Sequence, residues 1–357
     1  MLSRENAPRF TAIFVDEHHD QLGCPGDRKD AWKTLSLWAS IKLVPIILLS
    51  ATAPPCLEKR LLRNYKLCMG STAFIRSGTD RPEIGLHTVQ LDPLLAEEAL
   101  SHLVHALKGR LEEDERMLVF FGSCVLAAAF AEKSRCAVFH SRLPTCGNTK
   151  AYNLDKWDKG EATVMACTSA FASGVDRPRV RFVVIHNPQY SLTTTMQMAG
   201  RAGRDGKESH VFFATAETQG ASFPDAGNPD MPWELGRLVH KKQCRVYQST
   251  LYMDGEALAR ECSESAQVPC DVCCPDGAMH RFALNAVKNP GRPIARSTVG
   301  GVGTVASSSK VGACLCRSLP HTTDSCNTSR AAAGSIQRQR RAATVSHRIS
   351  TSRRLWC

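Results

Sequence analysis

The sequence predicts an α/β fold built on parallel β-sheets, and three observations carry this prediction. Short apolar segments rich in β-branched residues recur along the chain and alternate with helical segments. Two of them, residues 10–15 and 45–49, are apolar on both faces, which is typical of strands buried in a parallel sheet. Each is followed by polar residues, and open α/β sheets bind their ligands at the carboxyl ends of the strands.

The remaining elements follow in chain order. A linker near residues 77–82 precedes an amphipathic helix at residues 93–113. Five apolar segments then predict the strands of a second α/β layer structure, at residues 117–121, 137–140, 162–166, 182–185 and 210–213. Residues 232–253 have a helical pattern, and a composition rich in Ser, Thr, Gly, Ala and Arg predicts a disordered tail from residue 283 onward.

Length and charge narrow the class of protein. The 357 residues suffice for two compact domains with additional segments. We find no apolar run long enough for a transmembrane helix and no signal-peptide core, so we expect an intracellular protein without a membrane partner. The net charge of +11 is carried by residues 283–357, which hold 12 Lys and Arg residues and one acidic residue. A basic tail on a neutral body predicts a polyanionic partner such as nucleic acid, or a solvated tail with no partner.

Polar residues follow each of the first two strands. Asp16 and Glu17 form a carboxylate pair that can hold Mg²⁺ through water and polarise an attacking water molecule, or else a solvated acidic turn. Ser50 and Thr52 belong to a Ser-Ala-Thr segment after the second strand. The combination of the two motifs is far more specific than either motif alone.

A glycine-rich segment with two arginines occupies residues 197–206, with the sequence Gln-Met-Ala-Gly-Arg-Ala-Gly-Arg-Asp-Gly. The guanidinium groups of Arg201 and Arg204 each donate paired hydrogen bonds and stay charged, which suits polyphosphate. An arginine aimed at a transferred phosphoryl group accelerates the reaction by roughly 10³–10⁵. A solvated basic turn is the alternative interpretation of this segment alone.

Five of the 16 cysteines cluster in one part of the sequence: Cys244, Cys262, Cys270, Cys273 and Cys274. Four thiolates suffice for a closed tetrahedral Zn²⁺ site. We take Cys273 as the fourth ligand, with Cys274 as the alternative. Reduced free thiols and disulfides remain the competing interpretations.

The order of these motifs resembles that of superfamily 2 helicases. Asp-Glu-His-His at residues 16–19, Ser-Ala-Thr at 50–52 and Thr-Ser-Ala-Phe-Ala-Ser-Gly-Val-Asp-Arg-Pro at 168–178 precede the arginine segment. The last two are most similar to the RecQ family of ATP-dependent 3′–5′ DNA helicases, and the resemblance covers residues 8–275. It implies a partial first RecA-like domain (residues 1–80), a complete second one (81–216), a helical zinc-binding subdomain (217–282) and a basic tail (283–357).

The resemblance also implies roles for single residues, with ATP, Mg²⁺ and Zn²⁺ as cofactors. Asp16 matches the Mg²⁺-site carboxylate and Glu17 the residue that activates the hydrolytic water. Ser50 and Thr52 match the motif that couples hydrolysis to strand movement.

The second domain carries the other matches to the family. Gln197, Arg201 and Arg204 match the last helicase motif, with Arg204 as the arginine finger on the γ-phosphate. Thr168, Gly174 and Asp176 match the motif that lies between nucleotide and DNA. His140 matches the position of a tyrosine-histidine step in the family's second domain, where a structural histidine at a strand end is at least as strongly expected. The family also carries a helix-borne cysteine and a later trio, corresponding here to Cys244, Cys262, Cys270 and Cys273. The gap between Cys262 and Cys270 is longer than in the family.

One expected motif is missing. The phosphate-cradling loop Gly-x-x-x-x-Gly-Lys-Ser/Thr does not occur in the 357 residues, and the family's aromatic-rich loop retains only Trp32 and Trp38 at residues 21–38. We therefore expect an N-terminally truncated, fungal-type divergent RecQ copy that is inactive alone. The alternatives are a non-catalytic DNA-binding helicase remnant and a degenerate gene fragment. By family, single-stranded or partly duplex DNA, a role in DNA repair and recombination, and nuclear residence are expected.

Overall fold

The computed structural model describes residues 12–18, 45–144, 149–172, 177–216 and 232–288. They all belong to the first of two compact units into which the chain divides, Met1–Ile294 with Cys357; the second is Ala295–Trp356. The predicted site residues Gly174 and Asp176, the aromatic-rich loop and the basic tail from residue 289 onward lie outside the described residues. We call residues 12–80 the first lobe, residues 81–216 the second lobe and residues 232–288 the cysteine subdomain.

Two parallel sheets organise the lobes, which confirms the predicted α/β class. In the first lobe, β1 (Ile13–Val15) pairs in parallel with β2 (Ile46–Leu48). The second lobe has a six-stranded sheet in the order β3-β8-β7-β4-β6-β5, and every neighbouring pair is parallel. Its strands are β3 (Ile84–Gln90), β4 (Arg116–Phe120), β5 (Ala137–Phe139), β6 (Val164–Cys167), β7 (Val180–His186) and β8 (Ser209–Thr215).

The described residues form nine α-helices, of which α1 packs on the small sheet and others cover both faces of the large one. They are α1 (Glu58–Asn64), α2 (Ala96–Lys108), α3 (Cys124–Ser134), α4 (Thr149–Lys159), α5 (Leu192–Ala199), α6 (Pro232–His240), α7 (Arg245–Asp254), α8 (Cys262–Ser265) and α9 (Ala278–Lys288). Because successive strand residues point to opposite faces, neighbouring residues such as Leu118 and Val119 belong to different cores. Helices α2, α3 and α9 bury their apolar sides on the Val119 face, and α4 to α7 on the Leu118 face.

Three sequence-based expectations are corrected by the structure. The second lobe has a sixth strand, β3, which was missed because Gly85 and His87 interrupt its apolar pattern. The helical block at residues 232–253 is two helices, and Cys244 is the residue that caps α7 rather than a residue within a helix. Helix α9 continues to Lys288 with Ala283 buried, so ordered structure extends past the predicted start of the tail.

Candidate functional site

The acidic pair and the Ser-Ala-Thr segment lie at the same edge of the small sheet. Because β1 and β2 are parallel, their carboxyl ends meet, and the backbone N–H of His18 donates to the carbonyl of Leu49 at 3.3 Å. Asp16 Oδ1 accepts from the backbone N–H of Glu17 at 2.9 Å, which holds the turn. Thr52 is buried, and its N–H donates to Ser50 Oγ at 3.0 Å.

The arginine segment, residues 197–206, begins in the last turn of α5 and continues into the turn after it. Gly203 has a φ of 60°, and its N–H donates to the carbonyl of Val180 at 3.0 Å, so the turn is held to the start of β7. Arg201 is buried and donates from Nη2 to the carbonyl of Ala172, which closely follows Thr168 in the chain. Arg204 is half-buried and donates from Nε to the carbonyl of Gly200 at 3.4 Å.

A side-chain contact joins the two lobes at this edge. Gln197 Nε2, on α5, donates to Thr52 Oγ1 at 3.2 Å. Two predicted motifs separated by 145 residues are therefore brought into direct contact.

A buried ion network fixes the end of the arginine segment. Arg181, on β7, donates from Nη2 to Asp205 and from Nε to Glu115 at 2.6 Å, and its Nη1 donates to Ser209 Oγ at 2.9 Å. Hydrogen bonds from Arg181 hold the pKa of Asp205 below its ordinary value against the opposing effect of burial. The charged carboxylate thus orients the turn that carries Arg204.

Thr168 and His140 lie at the carboxyl ends of neighbouring strands β6 and β5. Thr168 is buried, and its carbonyl accepts from the N–H of Phe171 at 2.9 Å in a short 3₁₀ turn. Burial lowers the pKa of His140, and the charges of Arg142 and Lys150 lower it further. His140 is therefore a neutral histidine at neutral pH.

The cysteine cluster forms at the start of α7. The Sγ atoms of Cys244, Cys262, Cys270 and Cys273 all lie within 4.8 Å of one another. Those of Cys244 and Cys262 are 3.5 Å apart, close to the separation of about 3.8 Å expected for two thiolates on one tetrahedral zinc. Cys274, the alternative fourth ligand, is not in this group.

Backbone N–H groups point at the sulfur atoms. Cys270 Sγ accepts from the N–H of Arg245 at 3.4 Å, and Cys262 Sγ accepts from the N–H of Cys270 at 3.3 Å. Hydrogen bonds from the thiols of Cys244 and Cys262 and from this backbone lower the pKa of Cys270, whereas burial raises that of Cys273 to about 12. The backbone N–H groups can stabilise negative charge on sulfur, so this donor set suits a thiolate-bound metal ion.

A buried salt bridge braces the cluster against the second lobe. Arg245 donates from Nε to Asp271 Oδ1 and from Nη2 to Asp271 Oδ2 at 2.9 Å. The same Oδ2 atom accepts from the N–H of Thr88 on β3 at 2.9 Å. Residues next to two of the cysteines therefore tie the cluster to the edge of the six-stranded sheet.

Comparisons with known proteins agree with this architecture. The family "Helicase conserved C-terminal domain" matches residues 97–206. The ATP-dependent DNA helicase Q1 of Rattus norvegicus is 27% identical over 288 residues, covering 77% of this chain and 45% of that protein. The ATP-dependent DNA helicase hus2/rqh1 of Schizosaccharomyces pombe is 25% identical over 299 residues, covering 77% and 22%. The chain is RecQ-like: its sequence resembles that of RecQ-type DNA helicases over 77% of its length.

The RecQ-like chain spans less than half the length of these two relatives. Among solved structures, S. cerevisiae Dbp5 bound to RNA and ADP BeF3 aligns with a TM-score of 0.50 at 15% identity, covering 78% of this chain and 63% of that one. This likeness shows the fold alone. No helix within the described ranges is both long and apolar enough to cross a membrane.

Several side chains that shape the RecQ-like site were missed by the sequence analysis. They are charged residues paired over long sequence separations: Arg76, Arg81, Arg181, Asp205, Asp254 and Asp271. Asp271 and Asp205 carried a sequence signal, because they directly follow Cys270 and Arg204. The others require the fold before their partners can be named.

Proposed function

We propose that this chain acts as the nucleic-acid-binding second motor domain, with its metal platform, of a RecQ-type ATP-dependent 3′–5′ DNA helicase. The observation that carries the proposal is the 3.2 Å contact from Gln197 to Thr52, which brings two helicase motifs of different lobes together. We extend the proposal to the family's setting, DNA recombination and repair in the nucleus.

The site residues are assigned roles on this basis. Asp16 would hold Mg²⁺ through water, Glu17 would orient the attacking water, and Arg204 would stabilise charge on the γ-phosphate. Arg181 keeps the turn of Arg204 in place through Asp205. Gly174 and Asp176 keep their proposed place at the nucleotide.

Nucleic acid would lie across the carboxyl edge of the second-lobe sheet. Thr168 and His140 lie at this edge, and a neutral imidazole can donate to or accept from nucleic acid without a bound counterion. Ser50 and Thr52 are proposed to pass the state of the nucleotide to the strand. DNA is the proposed polymer because the relatives named above are DNA helicases.

The four clustered thiolates are proposed to hold a structural zinc ion. Cys244 and Cys262 approach each other from α7 and α8, and Cys270 and Cys273 come from the following turn. Zinc bound there would join these elements and hold the cysteine subdomain together.

The 357-residue polypeptide by itself is proposed to bind DNA without turning over ATP. A phosphate-cradling loop does not occur in its sequence, so the β- and γ-phosphates lack the backbone N–H groups and lysine that anchor them in P-loop enzymes. A non-catalytic DNA-binding role is the consequence for this polypeptide.

Fluorescence anisotropy with labelled single-stranded and 3′-tailed duplex DNA tests the proposal. We expect affinity that falls steeply with salt, and a smaller salt slope after removal of residues 289–357. Thr168→Val should weaken binding, whereas Thr163→Val, at the opposite end of β6, serves as the matched control. Absence of binding to either DNA at about 50 mM salt, where phosphate contacts are strong, would refute the DNA-binding function.

A further inference from the structure

Residues 76–81, which we call the linker, span the boundary between the lobes, and their beginning is bound to the first lobe. Arg76 Nη1 donates to the carbonyl of Ala53 at 2.6 Å, and Nε and Nη2 donate to Glu58 Oε1 at 3.0 and 2.6 Å. Ala53 directly follows Thr52, the residue that receives the hydrogen bond from Gln197. The start of the linker is therefore hydrogen-bonded to the residue that directly follows the Ser-Ala-Thr segment.

The end of the linker is bound to the arginine segment of the second lobe. Arg81 Nη2 donates to the carbonyls of Ala202 and Gly203 at 3.2 and 3.1 Å. Its Nε donates to Glu83 Oε1 at 2.6 Å, which fixes the plane of the guanidinium group. Both carbonyls immediately precede Arg204 in the chain, so Arg81 sets the backbone from which that side chain extends.

The middle of the linker is held by the cysteine subdomain. Asp254 Oδ2, at the end of α7, accepts from both the N–H and the Oγ1 of Thr79, at 2.9 and 3.0 Å. Asp254 is 6% exposed, and a buried carboxylate needs such donors to stay charged. The next residue, Gly255, has a φ of 84° and packs so closely that an added Cβ would lie 3.3 Å from Pro55 Cγ in the first lobe.

We propose that Arg76, Thr79 and Arg81 are positioning residues that couple the Ser-Ala-Thr segment to the arginine segment, and that Asp254 braces this coupling. Arg81 follows Arg76 by five positions, and an extended chain of that length spans at most about 18 Å, so the linker is short. A displacement of Ala53 moves Arg76, and it displaces the turn of Arg204 through Arg81 as long as Asp254 holds Thr79 in the middle of the linker. The inference rests on the proposed function for its meaning, but its contacts do not depend on nucleotide or DNA.

Hydrogen–deuterium exchange of the full chain tests the coupling directly. The amides of Arg201, Ala202 and Gly203 are reporters in the second lobe, because they donate to the carbonyls of Met198, Ala199 and Val180. In the first lobe the reporter is the amide of Thr52, which donates to Ser50 Oγ. We expect Asp254→Ala to accelerate exchange at both ends by about tenfold, because loss of a buried charged acceptor releases the linker.

Matched variants separate coupling from local damage. Asp158→Ala removes a half-buried carboxylate that pairs with Arg177 in the second lobe, and should leave both reporter regions unchanged. Thr79→Val removes one hydrogen bond to Asp254 and should accelerate exchange at the same two ends. Thr79→Ser keeps the hydroxyl, so exchange at both ends should be as slow as in the unmodified chain. These threonine variants decide the question if Asp254→Ala does not fold.

Two results would overturn the inference. The first is acceleration confined to residues next to Asp254 and Thr79, with reporters at both ends unchanged. The second is equal behaviour of Thr79→Val and Thr79→Ser. The exchange measurement uses neither ATP nor DNA. If it contradicts the coupling, the DNA-binding proposal is unaffected, and if DNA binding is not found, the exchange rates still decide whether the coupling exists.

Discussion

Replacement of Asp271 by alanine should strongly destabilise the folded chain. Arg245 and Asp271 are 5% and 7% exposed, so the change leaves a guanidinium group buried without its carboxylate. It also removes the acceptor of the Thr88 N–H on the sheet edge. Breaking a buried pair in this way costs about 3–5 kcal/mol.

This magnitude is large relative to the stability of an ordinary domain, about 5–15 kcal/mol. A loss of about 3–5 kcal/mol lowers the ratio of folded to unfolded chain by roughly two to four powers of ten. Asp271→Asn keeps the shape and one of the two acceptor oxygens, so it should be milder than the alanine variant, although its NH2 group cannot accept from the remaining donors.

Urea unfolding followed by circular dichroism, with zinc in excess, measures the effect. Asp155→Ala, which removes an exposed partner of Lys159, is the control and should leave the midpoint unchanged. A loss below about 1 kcal/mol for Asp271→Ala would refute the reasoning, because such a value is typical of an exposed pair.

Three further predictions concern the turn, the histidines and the cysteines. Gly203→Ala should destabilise more than Gly206→Ala, because both have positive φ but only a Cβ at Gly203 meets neighbours, at 3.1 Å; equal losses by thermal melting would contradict this. Burial lowers the pKa of His186 in the folded chain, so below about pH 6.5 the unfolded chain binds more protons than the folded chain. The free energy of unfolding, measured by urea titration, should therefore fall as the pH falls below about 6.5, and His186→Gln should reduce the slope of this pH dependence. An unchanged slope would contradict it. Purified protein should carry about one zinc per chain by metal analysis, lost in Cys270→Ser and kept in Cys274→Ser; less than about 0.5 zinc would contradict the site.

The parts of the fold set by local pattern were predictable from the sequence. Strands such as β4 and β7 contain the apolar runs 117–121 and 182–185, and the parallel sheets confirm the α/β class that these runs predicted. Strand β3 was not predictable, because its glycine and histidine are explained only by the packing of Val268 and His210 around them. The same holds for the break between α6 and α7, where the cysteine cluster ends one helix pattern and starts another.

Long-range polar contacts could not be predicted from the sequence, for a physical reason. Arg81 meets Ala202 across 121 residues and Thr79 meets Asp254 across 175, and no spacing rule connects such pairs. The cysteines were predictable as a group because thiolates at short spacings have few other uses in a chain of this length. Geometry was needed to favour Cys273 over Cys274 within that group.

The central proposal is that this polypeptide binds DNA through a RecQ-like second motor domain but does not turn over ATP by itself. Steady-state ATP hydrolysis by residues 1–357, measured with saturating single-stranded DNA and Mg²⁺, tests it most directly. The account predicts no turnover above the level of an Arg204→Ala control, since the phosphate-cradling loop does not occur in these residues. Robust DNA-stimulated turnover that Arg204→Ala abolishes would contradict it.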